Sequence, residues 1–174
     1  LPIPAAPAVA GMSRKSSFAP VVSADTRVLI LGSLPGERSL AAGRYYAHPQ
    51  NRFWQLVGDA IGRDLVSLDY PDQLDALIAA RIGLWDVVAS AERSGSLDSA
   101  IRNAQHNALS DLVATLPDLR AIAFNGRKAE SIGRPLLANI TAELIALPSS
   151  SPAYAALPLA AKQRQWGKLC EFLA

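Results

Sequence analysis

Four short apolar runs punctuate the chain, and the stretches between them place apolar residues at helical spacing. Val28-Leu29-Ile30-Leu31 is unbroken and bounded by Arg27 and Gly32, as expected of a strand buried on both faces. Leu84-Trp85-Asp86-Val87-Val88, Leu119 to Phe124 and Ile140 to Leu147 repeat the pattern and predict a second, third and fourth strand. Phe53, Trp54, Val57 and Ile61 recur at helical intervals, with Gly62 as a stop. Pro71 suits the first turn of another helix carrying Leu74, Leu77 and Ile78. A third helix starts at Asn107 or Ser110 and stops at Pro117. A last one runs from Leu157 to Leu173 and turns Trp166, Leu169, Cys170 and Leu173 inward. Ala91 to Ser99 reads as a polar loop, and Ser96 to Asn103 has some helical character. Strands alternating with helices predict an α/β fold whose parallel sheet is covered on both faces.

The 174 residues, half of them hydrophobic, suffice for one core. Residues 21–174 are expected to form that single domain, after a flexible Pro/Ala/Ser arm over residues 1–20. The arm lacks the charged start and long apolar centre of a secretory signal, and no apolar run approaches a membrane span. Cys170 is the only cysteine, which excludes a disulfide framework and a cysteine-rich metal site and suits a reducing cytoplasm. A formal net charge of +2 does not announce nucleic acid. The basic residues are mostly arginine, whose planar fork suits phosphate, although an Ala-rich, Arg-over-Lys composition also arises from coding bias. Any phosphate grip is therefore local.

Candidate chemistry collects after the strands. Gly32-Ser33-Leu34-Pro35-Gly36 breaks the first strand at its carboxyl end, where an open α/β sheet places its ligand crevice. Tyr45, Tyr46, His48, Pro49 and then Asn51, in the first turn of a helix, follow. Taken singly, these are a common turn, a covered surface and helix anchors. Asp86 is an acid inside an apolar strand, either a site residue or a carboxyl that satisfies nearby backbone. Asn125 ends the third strand before Gly126-Arg127-Lys128-Ala129, a helix start that either cradles an anion or is an ordinary turn. Pro148-Ser149-Ser150-Ser151-Pro152 follows the fourth strand, and its hydroxyls can bond phosphates without reading sequence.

In this order the pieces resemble the uracil-DNA glycosylase superfamily. Gly32 to Gly36 stands where that superfamily has G-x-(D/N)-P-G, and Tyr46-Ala47-His48-Pro49-Gln50-Asn51-Arg52-Phe53-Trp54 is similar to a segment of its mismatch-specific branch. The run Gly32 to Leu40 with the Tyr45-Tyr46 pair looks most like the hypoxanthine-DNA (deoxyinosine) glycosylase branch, and Leu34 occupies the place of the usual water-handling Asp or Asn. The serine loop stands where relatives carry His-Pro-Ser or Asn-Pro-Ser. From Arg27 onward the resemblance implies a three-layer α/β/α sandwich around a four-stranded parallel sheet. It implies hydrolysis of the N-glycosidic bond of a flipped-out deaminated base, most specifically hypoxanthine, without cofactor or metal. It places Asn51 as the residue that orients water, with His48 as an alternative catalytic group or a loop support. It puts Gly32, Ser33, Leu34, Gly36, Tyr46, Asp86 and Asn125 at the base, and Ser149, Ser150, Ser151 and Pro152 on DNA. The expected partner is DNA containing a deaminated base, bound by a monomer, with abasic-site repair enzymes acting downstream. Two alternatives remain open: a uracil or mismatch glycosylase on the same scaffold, which Leu34 weakens, and a lesion-binding protein that has kept the fold but lost the chemistry, for which Leu34, with no group to orient water, is the main argument.

Overall fold

The computed structural model describes residues 14–174. A parallel sheet forms from β2 (Val28–Gly32), β3 (Ile82–Asp86), β6 (Ala121–Asn125) and β7 (Glu143–Leu147), in the order β3-β2-β6-β7. All five residues of β2 and of β6 are buried, which is why their sequences are apolar without alternation. Strand geometry sends successive side chains to opposite faces, so Val28 and Ile30 join one apolar cluster and Leu29 and Leu31 the other. The first cluster is roofed by α2 (Phe53–Ile61), α3 (Tyr70–Ala79) and α6 (Leu159–Gly167), through Phe53, Leu56, Val57, Leu77 and Trp166. The second is covered by α4 (Leu109–Ala114) and α5 (Arg127–Leu136), through Leu109 and Ala129. The result is the expected three-layer sandwich. Full burial of side chains such as Phe53 and Leu56 is worth roughly 1.5–3 kcal/mol each, so the roof helices are held by packing rather than propensity.

The structure differs from the sequence expectations in four places. The chain does not become a loop after β3 but continues through Val87 into β4 (Val88–Glu92), which pairs antiparallel with both β5 (Arg102–His106) and β1 (Arg14–Ser16). This second sheet is fastened by backbone hydrogen bonds and carries mostly polar side chains, so no apolar periodicity announced it. Of the helical character expected over Ser96 to Asn103, one short 3₁₀ turn, Asp98–Ala100, forms. Residues 14–20, expected within a flexible arm, are placed: β1 pairs with β4, and Phe18 packs edge-on against Tyr45 at 5.2 Å. The rest of the arm lies outside the described residues. Lastly, Cys170 is exposed rather than inward. The final helix tightens at Gly167 into a 3₁₀ segment, Lys168–Phe172, and the change from 3.6 to three residues per turn rotates Cys170 off the buried stripe that Trp166 and Leu169 keep. No helix among the described residues is long and apolar enough to cross a membrane.

Candidate active site

The carboxyl ends of the parallel strands open into one cleft of about 990 Å³. Gly32, Asp86, Asn125 and Leu147 end their strands at this edge, Gly32 lying opposite Asp86 and Asn125 opposite Leu147. Every residue singled out for the site in the sequence lines this cleft: Gly32, Ser33, Leu34, Gly36, Tyr46, His48, Asn51, Asp86, Asn125 and the run Ser149 to Pro152.

The floor is built around Gly32. A Cβ there would stand 2.6 Å from Asp86 Oδ1 and 3.0 Å from the Tyr46 hydroxyl, so only glycine lets both groups close over the strand end. Asp86 is buried, 4% exposed, and its Oδ2 has no hydrogen-bond partner. A buried polar atom left unpaired in a folded protein calls for a ligand or a water. Burial, reinforced by the negative charge of Asp98 and opposed by Arg93, lifts the Asp86 carboxyl to about 7. Its charge thus changes within the physiological range. It is not spent on capping: Asn107 Nδ2 donates to the Asp86 backbone carbonyl at 2.7 Å and leaves the side chain free.

Tyr46 holds a left-handed backbone at φ 54°, uncommon for a bulky side chain and typical of positions fixed by their surroundings. Its ring stacks on Phe53 at 3.9 Å and 12°, so one ring face is already occupied. Its hydroxyl meets Asn125 Nδ2 at 3.3 Å. Burial, with the Asp86 charge behind it, raises the phenol further, keeping it neutral at any working pH.

Asn51 Oδ1 accepts from the Phe53 N–H at 2.9 Å, closing a turn at the start of α2 and fixing which way the amide points. Among the described residues Nδ2 has no partner, so the residue caps its helix and still offers a donor and a second oxygen lone pair to the cleft. His48 is turned to support: Nδ1 accepts from Gln50 N at 3.1 Å and its carbonyl accepts from Asn51 N at 2.9 Å.

Leu34 packs among Leu29, Leu31, Val87 and Val88 and is 6% exposed. Its side chain is thus committed to the core, and what the loop can offer a ligand is backbone. The serine loop divides likewise. Ser150 is buried, with Asn125 Nδ2 donating to its Oγ at 2.9 Å and its N–H donating to Asn125 Oδ1 at 2.9 Å. Asn125 and Ser150 are therefore a clasp between β6 and the loop, which accounts for both without contact to phosphate. Further pins come from Trp166 Nε1 on the Pro148 carbonyl (2.9 Å), Arg52 N on the Ser150 carbonyl (3.0 Å) and Lys162 Nζ on the Tyr154 carbonyl (2.7 Å). Ser149, Ser151 and Pro152 remain at the cleft surface. Gly126, at φ 95°, lets Ser149 approach to 3.2 Å of where a Cβ would stand.

Sequence reasoning passed over the segment from Arg93 to Asp98, which lies against the glycine loop. Asp98 accepts from the Ser33 hydroxyl at 2.6 Å, Ser96 Oγ accepts from Glu37 N at 2.8 Å, and the fully buried Arg93 reaches the loop carbonyls. The one available signal was position: a polar stretch entering soon after an acid at the ligand edge of the sheet. Among the described residues no cluster of His, Cys, Asp and Glu could hold a metal ion.

The chain matches the uracil DNA glycosylase superfamily over residues 19–170. It belongs to that superfamily. A hypoxanthine DNA glycosylase of Methanosarcina barkeri (strain Fusaro / DSM 804) is 42% identical over 140 residues, covering 80% of this chain and 88% of the relative. One of Methanosarcina acetivorans is 46% identical over 139 residues, covering 80% and 87%. The solution NMR structure of a candidate uracil DNA glycosylase from M. acetivorans superposes with a TM-score of 0.84 at 41% identity, covering 92% of this chain and 99% of that one. The glycine loop and the serine loop thus sit on a superfamily scaffold and face one crevice.

Proposed function

We propose that this superfamily member is a DNA glycosylase that hydrolyses the N-glycosidic bond of a deaminated base, hypoxanthine, after the nucleotide has left the duplex. The observation that carries the choice against adenine is the unpartnered Asp86 carboxylate at the cleft floor, beside Gly32, and the names of the two Methanosarcina relatives support hypoxanthine among the bases that present a ring N–H. When ionised, Asp86 is an acceptor only. Hypoxanthine presents an N1–H to it, whereas adenine, its undeaminated parent, presents a lone pair and leaves two acceptors facing each other. Sites built on a hydrogen bond discriminate well because the wrong partner leaves a buried group unpaired.

Tyr46 supplies the stacking face and the amides of the Gly32 to Gly36 loop receive the carbonyl oxygen of the base. In the reaction the bond from C1′ to the base nitrogen breaks and its electron pair leaves with the base. A water oxygen adds to C1′, and its proton balances the charge on the departing purine. Donors aimed at the base stabilise that developing negative charge. Asn51 orients the water; a neutral amide positions rather than deprotonates. Ser149, Ser151 and Pro152 meet the DNA backbone. The reaction is monofunctional, because the floor consists of Gly32, Tyr46, Asp86 and Asn125 and offers no amine, while the lining lysine, Lys128, sits in the first turn of α5. One chain supplies the whole cleft, so the protein works as a monomer and passes an abasic site to downstream repair. Its single exposed thiol suits a reducing cytoplasm.

The test is a panel of duplexes bearing hypoxanthine, uracil or xanthine, assayed for abasic product under single-turnover conditions. Excision of hypoxanthine ahead of uracil is expected. Binding without abasic product on any duplex would refute the reading in favour of a lesion-binding protein.

A further inference from the structure

Arg93 is 1% exposed, yet no carboxylate among the described residues lies within salt-bridge distance of it. A buried cation without an ion pair is costly unless its hydrogens are satisfied. Here they are satisfied by backbone: Nη1 donates to the Leu34 carbonyl at 3.3 Å, Nη2 to the Pro35 carbonyl at 2.5 Å and Nε to the Gly95 carbonyl at 2.7 Å. Two of the three carbonyls belong to the glycine loop. The Leu34 carbonyl shares its peptide with the Pro35 nitrogen, which carries no hydrogen, whereas the Pro35 carbonyl shares its plane with the Gly36 N–H, so drawing that C=O toward the guanidinium turns the Gly36 N–H away from it. A lysine cannot reproduce this, since its compact ammonium lacks a planar fork.

We propose that Arg93 is a positioning residue of the base-recognition wall: its fork holds the Leu34 and Pro35 carbonyls, and through the second of them the peptide that carries the Gly36 N–H, so that this amide faces the departing base. Its charge has an electrostatic part to play as well, as the positive one set against Asp98 at the Asp86 carboxyl. This rests on the glycosylase reading and adds to it a residue with no contact to substrate. The charged and titratable groups around Asp86 are few. Asp98, from the 3₁₀ turn after β4, raises its proton affinity and Arg93 lowers it, while the Tyr45 and Tyr46 hydroxyls lie close enough to be raised by the Asp86 charge. Behind Arg93 stands Lys15 of β1, which bonds the Gly95 carbonyl at 3.0 Å and pairs with Glu37. Arg93 is thus the positive charge set against Asp98 at Asp86.

The experiment uses the full chain with Arg93→Met, Arg93→Lys and Asp98→Asn. It measures single-turnover excision of hypoxanthine from pH 5 to 9, lesion-duplex affinity, and direct titration of the Asp86 carboxyl by ¹³C NMR. Arg93→Met is expected to slow excision about 10²-fold, the scale of losing aligned donors in the transition state, while affinity changes far less. It also moves the acidic limb of the rate profile to higher pH. Arg93→Lys returns the limb toward its original position without restoring the rate, separating charge from fork. Asp98→Asn moves the limb and the Asp86 titration to lower pH. A folded Arg93→Met protein with unchanged rate and limb overturns the proposal. Should Arg93→Met fail to fold, an unmoved Asp86 titration in Asp98→Asn overturns the electrostatic half, and a wild-type rate in a folded Arg93→Lys overturns the fork. If no duplex is cut at all, the glycosylase reading fails by itself, and the NMR titration still decides whether Arg93 and Asp98 set the state of Asp86.

Discussion

Replacing Asp86 with asparagine tests the cleft floor through two properties that should move in opposite directions. The carboxyl is 3.8 when free and is lifted to about 7 in the folded protein. An acid whose folded value is raised adds stability that is full below its unfolded value and lost as pH rises through the folded one. At about 1.4 kcal/mol for each tenfold change in proton affinity, the full span corresponds to about 4 kcal/mol of destabilisation of the ionised protein. Between pH 5 and 8.5, where an unfolded Asp is already ionised, the part still to be lost is about 2–3 kcal/mol. Asp86→Asn cannot ionise, so this loss disappears from its profile, while the new NH₂, facing a site where Oδ2 had no partner, costs about 1–3 kcal/mol at every pH. Denaturant unfolding of both proteins across that range should therefore show curves that converge or cross toward alkaline pH. Hypoxanthine excision should fall by about 10–10²-fold at pH 8, because a hydrogen bond to a charged acceptor worth about 1.5–3 kcal/mol is lost. Parallel stability curves would mean that Asp86 is not a neutral buried acid at pH 5, and an unchanged rate would remove it from base recognition.

Tyr46→Ala should cost about 1–3 kcal/mol of lesion-duplex binding and slow single-turnover excision, whereas Tyr46→Phe keeps the ring and should lose little; equal loss in both would assign the role to the hydroxyl. Ser150→Ala leaves Asn125 Nδ2 short of a buried acceptor and should cost about 1–3 kcal/mol of stability in a thermal melt. Ser149→Ala with Ser151→Ala should weaken lesion and undamaged duplex alike, and a loss confined to one lesion would place those hydroxyls at the base. Asn51→Ala removes a helix-start bond worth about 0.5–2 kcal/mol and should also slow excision by about 10²-fold or more; a lowered melting temperature with a wild-type rate would leave Asn51 a cap and nothing else.

The parallel sheet was legible because a strand buried on both faces must be apolar throughout, and Val28 to Leu31 could hardly be anything else. The glycine loop was legible for a related reason, since a backbone crowded by Asp86 and Tyr46 tolerates no Cβ at position 32. The antiparallel sheet was not, because Arg102-Asn103-Ala104-Gln105-His106 is fastened by its backbone and its side chains mostly face solvent. Arg93 and Asp98 were hidden differently: nothing in AERSGSLDS separates a fully buried arginine from a solvated one, since two of the carbonyls that hold it, those of Leu34 and Pro35, come from residues almost sixty positions away. Within the serine run, Ser149, Ser150 and Ser151 are chemically equal, and only the fold turns the middle one inward.

Leu34 bears directly on the proposed division of labour in the cleft. A side chain there continues directly from the strand end, and in this chain it is drawn into the cluster of Leu29, Leu31, Val87 and Val88. A polar group at the same place would have to be buried without a partner or break that packing, at a cost of about 1–3 kcal/mol either way. With Leu34 committed to the core, the loop is reduced to backbone donors, and backbone donors are only as good as their aim. That makes an anchor for the carbonyl side useful, and Arg93 grips both the Leu34 carbonyl and the Pro35 carbonyl, the second of which shares its peptide plane with the Gly36 N–H. On the function proposed above, the task of holding water then passes to the far wall, where Asn51 is already oriented by its bond to the Phe53 amide and needs no further ordering to present its free amide edge. The same Phe53 carries the stacked ring of Tyr46. One helix start therefore fixes both the amide proposed to orient water and the ring proposed to carry the base, so a change that shifts α2 should disturb binding and chemistry together, while a change at Arg93 should slow chemistry far more than it weakens binding.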